Sequence, residues 1–285
     1  MNRASRWVYV PLVLGAVAML FPLWWMVALS LETAERAGAA TVGAGGMVLW
    51  PDDAQWSNYP EALAQVGSER WTGFLDAMAN SIVVTVVTVV ATILSSSLVG
   101  FGFARMRFRG RGPLFTLMLA TMMLPPQVTM IPLFLLFRGL GWVDSLLPLI
   151  VPAFFGNAFF IFMFRQFIAQ IPEALFEAAR IDGCSVLGLW WRILLPMCMP
   201  VVAITAVFTF IFVWNDFMSP LIYLHSDDQA TLAVALNAFR NQYGGLEAVH
   251  YLMAVSVVTM LPCILLFFVA QKQLVDGLGK GAVKG

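Results

Sequence analysis

The chain has 285 residues, of which 60% are hydrophobic and 11% charged, with 16 basic residues balanced by 16 acidic ones. Soluble domains carry about 25% charged residues, so this composition excludes an ordinary water-exposed fold. Zero net charge gives nucleic acid no purchase, and the expected solvent is a bilayer.

Six stretches, 7–31, 77–104, 113–137, 145–164, 193–215 and 251–270, approach or exceed the roughly 20 apolar residues that a crossing needs. Peptide groups have no partner in lipid, so each is read as a helix, giving an all-α membrane protein with six transmembrane helices. The first stretch is too long for a cleavable signal and runs directly into Glu32 and Glu35, so it reads as a retained span. Arg3 and Arg6 precede it. The second connection crowds Arg105, Arg107, Arg109 and Arg111, whereas the first holds Glu32, Glu35, Asp52, Asp53, Glu61, Glu69 and Asp76. By the positive-inside rule both termini are cytoplasmic.

The first external connection is long and glycine-punctuated, and a short amphipathic helix is expected near 59–65. Along the second span, Asn80, Ser81, Thr85, Thr88 and Ser95 to Ser97 form a polar or small stripe, which suits close helix packing or contact with a solute. In the third span, Pro125-Pro126 predicts a break that lines a pathway, hinges, or simply packs. Cys184, Cys198 and Cys263 lack metal or disulfide spacing and read as packing residues.

The loop after the fourth span is the most informative segment. Pro172 suits a helix start and Gly183 a helix end, predicting a helix over 172–182, after which Ser185 caps a second helix running to Pro196. Glu173, Glu177 and Arg180 fall on one face and Ala174, Ala178 and Ile181 on the next, while Ala178-Ala179 permit close docking. Alone, such a helix could equally lie on lipid headgroups. Its core, Glu177, Ala178, Ala179, Asp182 and Gly183 with Pro196 downstream, resembles the EAA signature of bacterial ABC importer permeases, the maltose-type carbohydrate-uptake branch in particular. Cys184 departs mildly from that branch, which usually has alanine there. The likeness runs from Ala104-Arg105 to the Gly281-Ala282-Val283-Lys284-Gly285 ending.

The resemblance implies a type I ABC importer permease fold in the bacterial inner membrane. Residues 1–75 would hold the first span and the long periplasmic connection, 76–271 a five-helix transmembrane domain with the EAA loop at 165–192, and 272–285 a cytoplasmic tail. It implies that Glu177, Ala178, Ala179, Asp182, Gly183, Ser185 and Pro196 couple this chain to a dimer of ATP-binding subunits. It further implies a second homologous permease and a periplasmic or lipid-anchored solute-binding protein. No residue here would be catalytic. The chain itself would bind no cofactor and no metal, ATP and Mg being used by the partner ATPase.

At the far end of the fifth span, Trp214-Asn215-Asp216 ends the helix near the outer interface. Asn215 and Asp216 either anchor that interface or face a pathway, with Thr205 and Thr209 below them on nearly the same stripe. His225 and His250 read as surface residues of the last external loop, and the glycine-rich tail from Gln271 as a solvated end. No phosphate loop, HExxH or GxSxG occurs. An importer of a non-sugar solute is the nearest alternative, followed by an ion-coupled secondary transporter, which would need ionisable groups that the spans hardly offer.

Overall fold

Every regular element in the computed structural model is helical among the described residues, which are 8–44, 46–66, 73–243, 245 and 248–282. Among these residues, four helices are long and apolar enough to cross a membrane, or up to six if two sharply bent pairs each count as one crossing. By contact the chain divides into two units. One joins the chain up to Ala77 with Val234–Pro262, and the other joins Met78–Ala233 with the chain from Cys263.

In the first unit, α1 (Tyr9–Ser30) is exposed along most of its length and buries only its last turn, Ala28, Leu29 and Ser30. Residues Ala37 and Ala40 of α2 (Ala34–Thr41) and Val48 cover that turn. The short amphipathic helix expected in the connection is α3 (Asn58–Gln65). Asn58 explains how it is held: its buried amide donates to the carbonyls of Ser30 at 2.9 Å and Glu32 at 2.8 Å. These are bare acceptors at the end of α1, which no later turn of that helix satisfies. Tyr251 donates its hydroxyl to Glu61 at 2.6 Å. His250 lies in the first turn of the last helix and is buried, correcting the surface position expected from its loop-like flanks.

The second unit is built around α4 (Phe74–Arg105), whose 32 residues exceed one crossing. The third apolar stretch breaks where the prolines predict, into α5 (Arg111–Thr121) and α6 (Pro126–Gly139), but the bend is 100° and leaves no continuous rod. Prolines 125 and 126 cannot supply the N–H groups that would pair with the carbonyls of Thr121 and Met122. The fourth stretch is α7 (Leu147–Ile150), a 3-10 turn (Val151–Phe155) and α8 (Ala158–Ala169). Gly156 adopts φ +86° between the last two, and Asn157 caps α8 by accepting from Phe159 N at 3.0 Å and Phe160 N at 3.4 Å. Helices α4 and α8 touch closely, since a Cβ on Gly100 would stand 2.7 Å from that of Phe164.

Beyond α8 come α9 (Glu173–Ile181) and a run of α10 (Val186–Gly188), a π segment (Leu189–Leu194) and α11 (Leu195–Met197). Pro196 offers no donor to the preceding turn, and the wider i→i+5 pattern directly before it adapts the chain to that loss. At Cys198 the axis turns by 79° into α12 (Met199–Trp214). The connection that follows is not simple loop, for it contains α13 (Met218–Tyr223) and α14 (Leu232–Tyr243). The final helix, α15 (Val249–Ala282), continues well past residue 270, so the backbone of the expected tail is helical as far as Ala282. Residues 283–285 lie outside the described part. Of the cysteines, Cys198 is fully buried and the other two are partly so.

Candidate functional site

The loop singled out by its sequence folds as a helical hairpin. Pro172 (φ −58°, ψ 137°) precedes α9 instead of entering it, and Gly183 makes the turn with φ +77°. Ser185 caps the second arm, its side chain accepting from Gly188 N at 3.1 Å. Phe176 and Ala179 form the buried face of α9, packed with Phe101, Phe164, Leu189 and Leu194. Ala179 therefore seats the helix on its own unit and offers no partner surface, contrary to the reading of both alanines as docking residues. Glu177, Ala178, Arg180, Ile181, Asp182 and Ser185 remain exposed. Pro196 is exposed too, but on the second arm, where it shapes the π segment.

Arg105 holds this hairpin in place, a role its position at the end of α4 does not announce. Its guanidinium pairs with Glu173 at 2.6 Å, donates to the Ile168 carbonyl at 2.8 Å and to that of Ile171, and lies over the Phe176 ring 4.6 Å from its centroid. The two carbonyls end α8 and the carboxylate begins α9. One planar cation thus ties three helices together, something a lysine point charge cannot reproduce. The only sequence signal for this was a basic residue at a span end, and its partners lie more than 60 positions away.

A cavity of about 660 Å³ lies between α4, α7, α8 and α12 in the same unit. Ser81, Thr88 and Thr92 of the α4 stripe line it, together with Thr209, Asp216 and Thr231. Phe208, Phe212 and Trp214 supply its apolar wall. Ser95 and Ser96 instead bond the backbone of the facing segment, at Ala153 O (2.8 Å) and Asn157 N (3.1 Å), so the stripe serves both packing and cavity. The hydroxyls of Thr209 and Thr231 are buried without a hydrogen-bond partner among the described residues.

Of the proposed pathway residues, the structure brings Thr209 and Asp216 to the cavity but not the other two. Asn215 turns its amide back to Ile211 O at 2.8 Å, and Thr205 is fully buried outside the lining. Asp216 accepts from Ser219 N at 3.1 Å, which fixes the start of α13. His225 belongs to a separate tie: Asp144, with φ +64°, accepts from the backbone N–H of His225 at 2.9 Å and of Ser226 at 2.7 Å. Hydrogen bonds from Ser226 and His225 hold the Asp144 carboxyl below the usual range.

A family model described as the binding-protein-dependent transport system inner membrane component matches residues 96–280, which include the hairpin and the cavity lining apart from its α4 residues. The chain belongs to this family. It is an inner-membrane permease component of binding-protein-dependent ABC importers and not an enzyme. The permease is 37% identical over 84% of its length to the arabinooligosaccharides transport system permease protein AraQ of Halalkalibacterium halodurans, covering 83% of that protein. It is 31% identical over its whole length to the probable ABC transporter permease protein YurM of Bacillus subtilis, covering 89% of it. Among solved structures, a chain of a bacterial ABC transporter involved in the import of the acidic polysaccharide alginate matches with a TM-score of 0.79. The identity is 26%, over 96% of the permease and all of that chain.

Proposed function

We propose that the permease imports a sugar or oligosaccharide, working with a second permease, two copies of an ATPase and an external solute-binding protein. The carbohydrate names of its relatives and of its structural neighbour support the substrate class. On this reading six crossings include the two bent pairs, both termini are cytoplasmic, and α9 lies on the cytoplasmic side. The observation that carries the mechanism is the hairpin: one face of α9 is locked into the unit by Phe176 and Arg105, and the opposite face is bare.

The exposed edge of Glu177, Ala178, Ile181 and Asp182 docks on the ATPase. ATP and Mg bound by that partner close it, and the motion passes through α9 to the helices that Arg105 joins. A rigid attachment is what makes such a displacement useful, because a loose helix would absorb it locally. Thr209 and Asp216 line the solute's route, and Asn215 and Thr205 only support it.

Reconstitution with the ATPase, second permease and binding protein encoded in the genomic neighbourhood tests the reading. ATP-dependent uptake of the oligosaccharide that saturates the binding protein is the expected result. Uptake of an amino acid or phosphate in its place would overturn the substrate class.

A further inference from the structure

We propose that residues 46–50, together with Trp24, form a foot that enters the lipid interface around the C-terminal end of α1. This is the outer leaflet on the orientation given above, and the inference rests on that reading only for the side of the membrane.

The segment alternates. Val48 points inward and packs with Ala28, Leu29, Ala37 and Ala40, while Met47 and Leu49 on either side are 68% and 56% exposed. Trp50 follows and stacks on Trp24 of α1 with ring centroids 5.2 Å apart. Trp24 lies six residues before the end of α1, or about 9 Å below that end at 1.5 Å per residue. The stack therefore brings the loop back down beside the last turns of a helix whose flank already faces lipid, and the exposed apolar side chains continue that flank.

Irregular backbone is costly against hydrocarbon unless its polar groups are paired. Here the Trp24 indole donates to the Leu49 carbonyl at 2.8 Å, which satisfies the acceptor nearest the helix. Indole rings with an apolar body and one polar group collect at the headgroup boundary, and Asp52, paired with Arg36 at 2.7 Å, marks where the chain returns to water. Lipid is the occupant that matches this order of apolar, aromatic and charged residues along one short segment.

Nitroxide side chains encoded one at a time in place of Leu49, Asp53 and Val17 test this without touching the three cysteines. The full-length permease is co-expressed with its partner subunits and reconstituted in phosphatidylcholine–phosphatidylglycerol vesicles. Collision rates are then measured with oxygen, which prefers lipid, and with a nickel chelate, which stays in water. The expected oxygen-to-nickel ratio at position 49 is severalfold above that at position 53 and below that at position 17, which sits mid-way along α1. A ratio at 49 equal to that at 53 would overturn the proposal and leave the patch facing water. Collisions with neither reagent would overturn it as well, by showing a protein partner on the patch. An impermeant reagent on a cysteine at position 53 reports sidedness independently, so a wrong orientation is distinguishable from a wrong depth.

Discussion

Gly183 and Arg105 set the position of α9, the helix proposed to dock, in different ways. No atom would lie within 4 Å of a Cβ at Gly183, so the demand there is conformational: φ +77° costs an L-residue about 1–2 kcal/mol. Gly183→Val should leave the spans inserted and lower uptake, with Gly183→Asn milder because asparagine tolerates this region; equal amounts of membrane protein and unequal transport are the readout. Arg105→Ala would free Glu173 and take the arginine donor from the Ile171 carbonyl, costing about 1–3 kcal/mol if it stays buried, while the Ile168 carbonyl keeps the backbone N–H of Ile171 at 3.2 Å. The expected outcome is faster amide exchange along α9 and ATP hydrolysis no longer matched by uptake. Arg105→Lys should recover only part of the loss. Asp144 gives a pH prediction. Its folded pKa lies below the unfolded value, so its tie to His225 and Ser226 contributes in full above about pH 4 and is lost as pH falls through the folded pKa. Proteolysis of the 224–231 loop should accelerate only in that acidic window, and Asp144→Ala should make it fast at neutral pH.

Among the elements, the α4–α8 crossing depends on the missing side chain of Gly100. Any branched residue there meets Phe164 Cβ and backbone of the facing helix, and overpacking of this kind costs about 1–3 kcal/mol. Gly100→Val should lower the unfolding temperature of the purified permease, whereas substitution at Gly102, which has open space around it, should not. Local signals made several elements legible beforehand. Pro172, Gly183 and Ser185 bracket the hairpin, Pro125-Pro126 mark the break, and the apolar lengths mark the four helices long enough to cross a membrane. The missed features depend on contacts distant in sequence. Nothing near Arg105 names Glu173, and nothing near Ala179 says which side of α9 faces Phe101. The π segment was illegible for another reason, since it answers a proline that by itself suggested only a bend.

For the whole molecule, the proposed function makes the exposed edge of α9 the point where force from outside enters. Glu177 is exposed and engages no described residue by an ion pair, so Glu177→Lys should leave the fold intact while weakening retention of the ATPase on affinity-purified permease. Unchanged co-purification together with unchanged solute-stimulated hydrolysis would refute that role. The break between α5 and α6 has a wider consequence. On the proposed six-crossing reading, the eleven residues of α5 reach about 16 Å from the arginine-rich end, near the middle of a 30 Å hydrocarbon layer. There the backbone leaves the helix at Met122 and Met123, and Met123 is 83% exposed. Acyl chains are a poor solvent for bare peptide carbonyls, so this stretch of surface must border water or another polypeptide. On that reading the chain carries, at mid-membrane, an edge that is complete only in company, and a lone copy in lipid would be an unfinished wall.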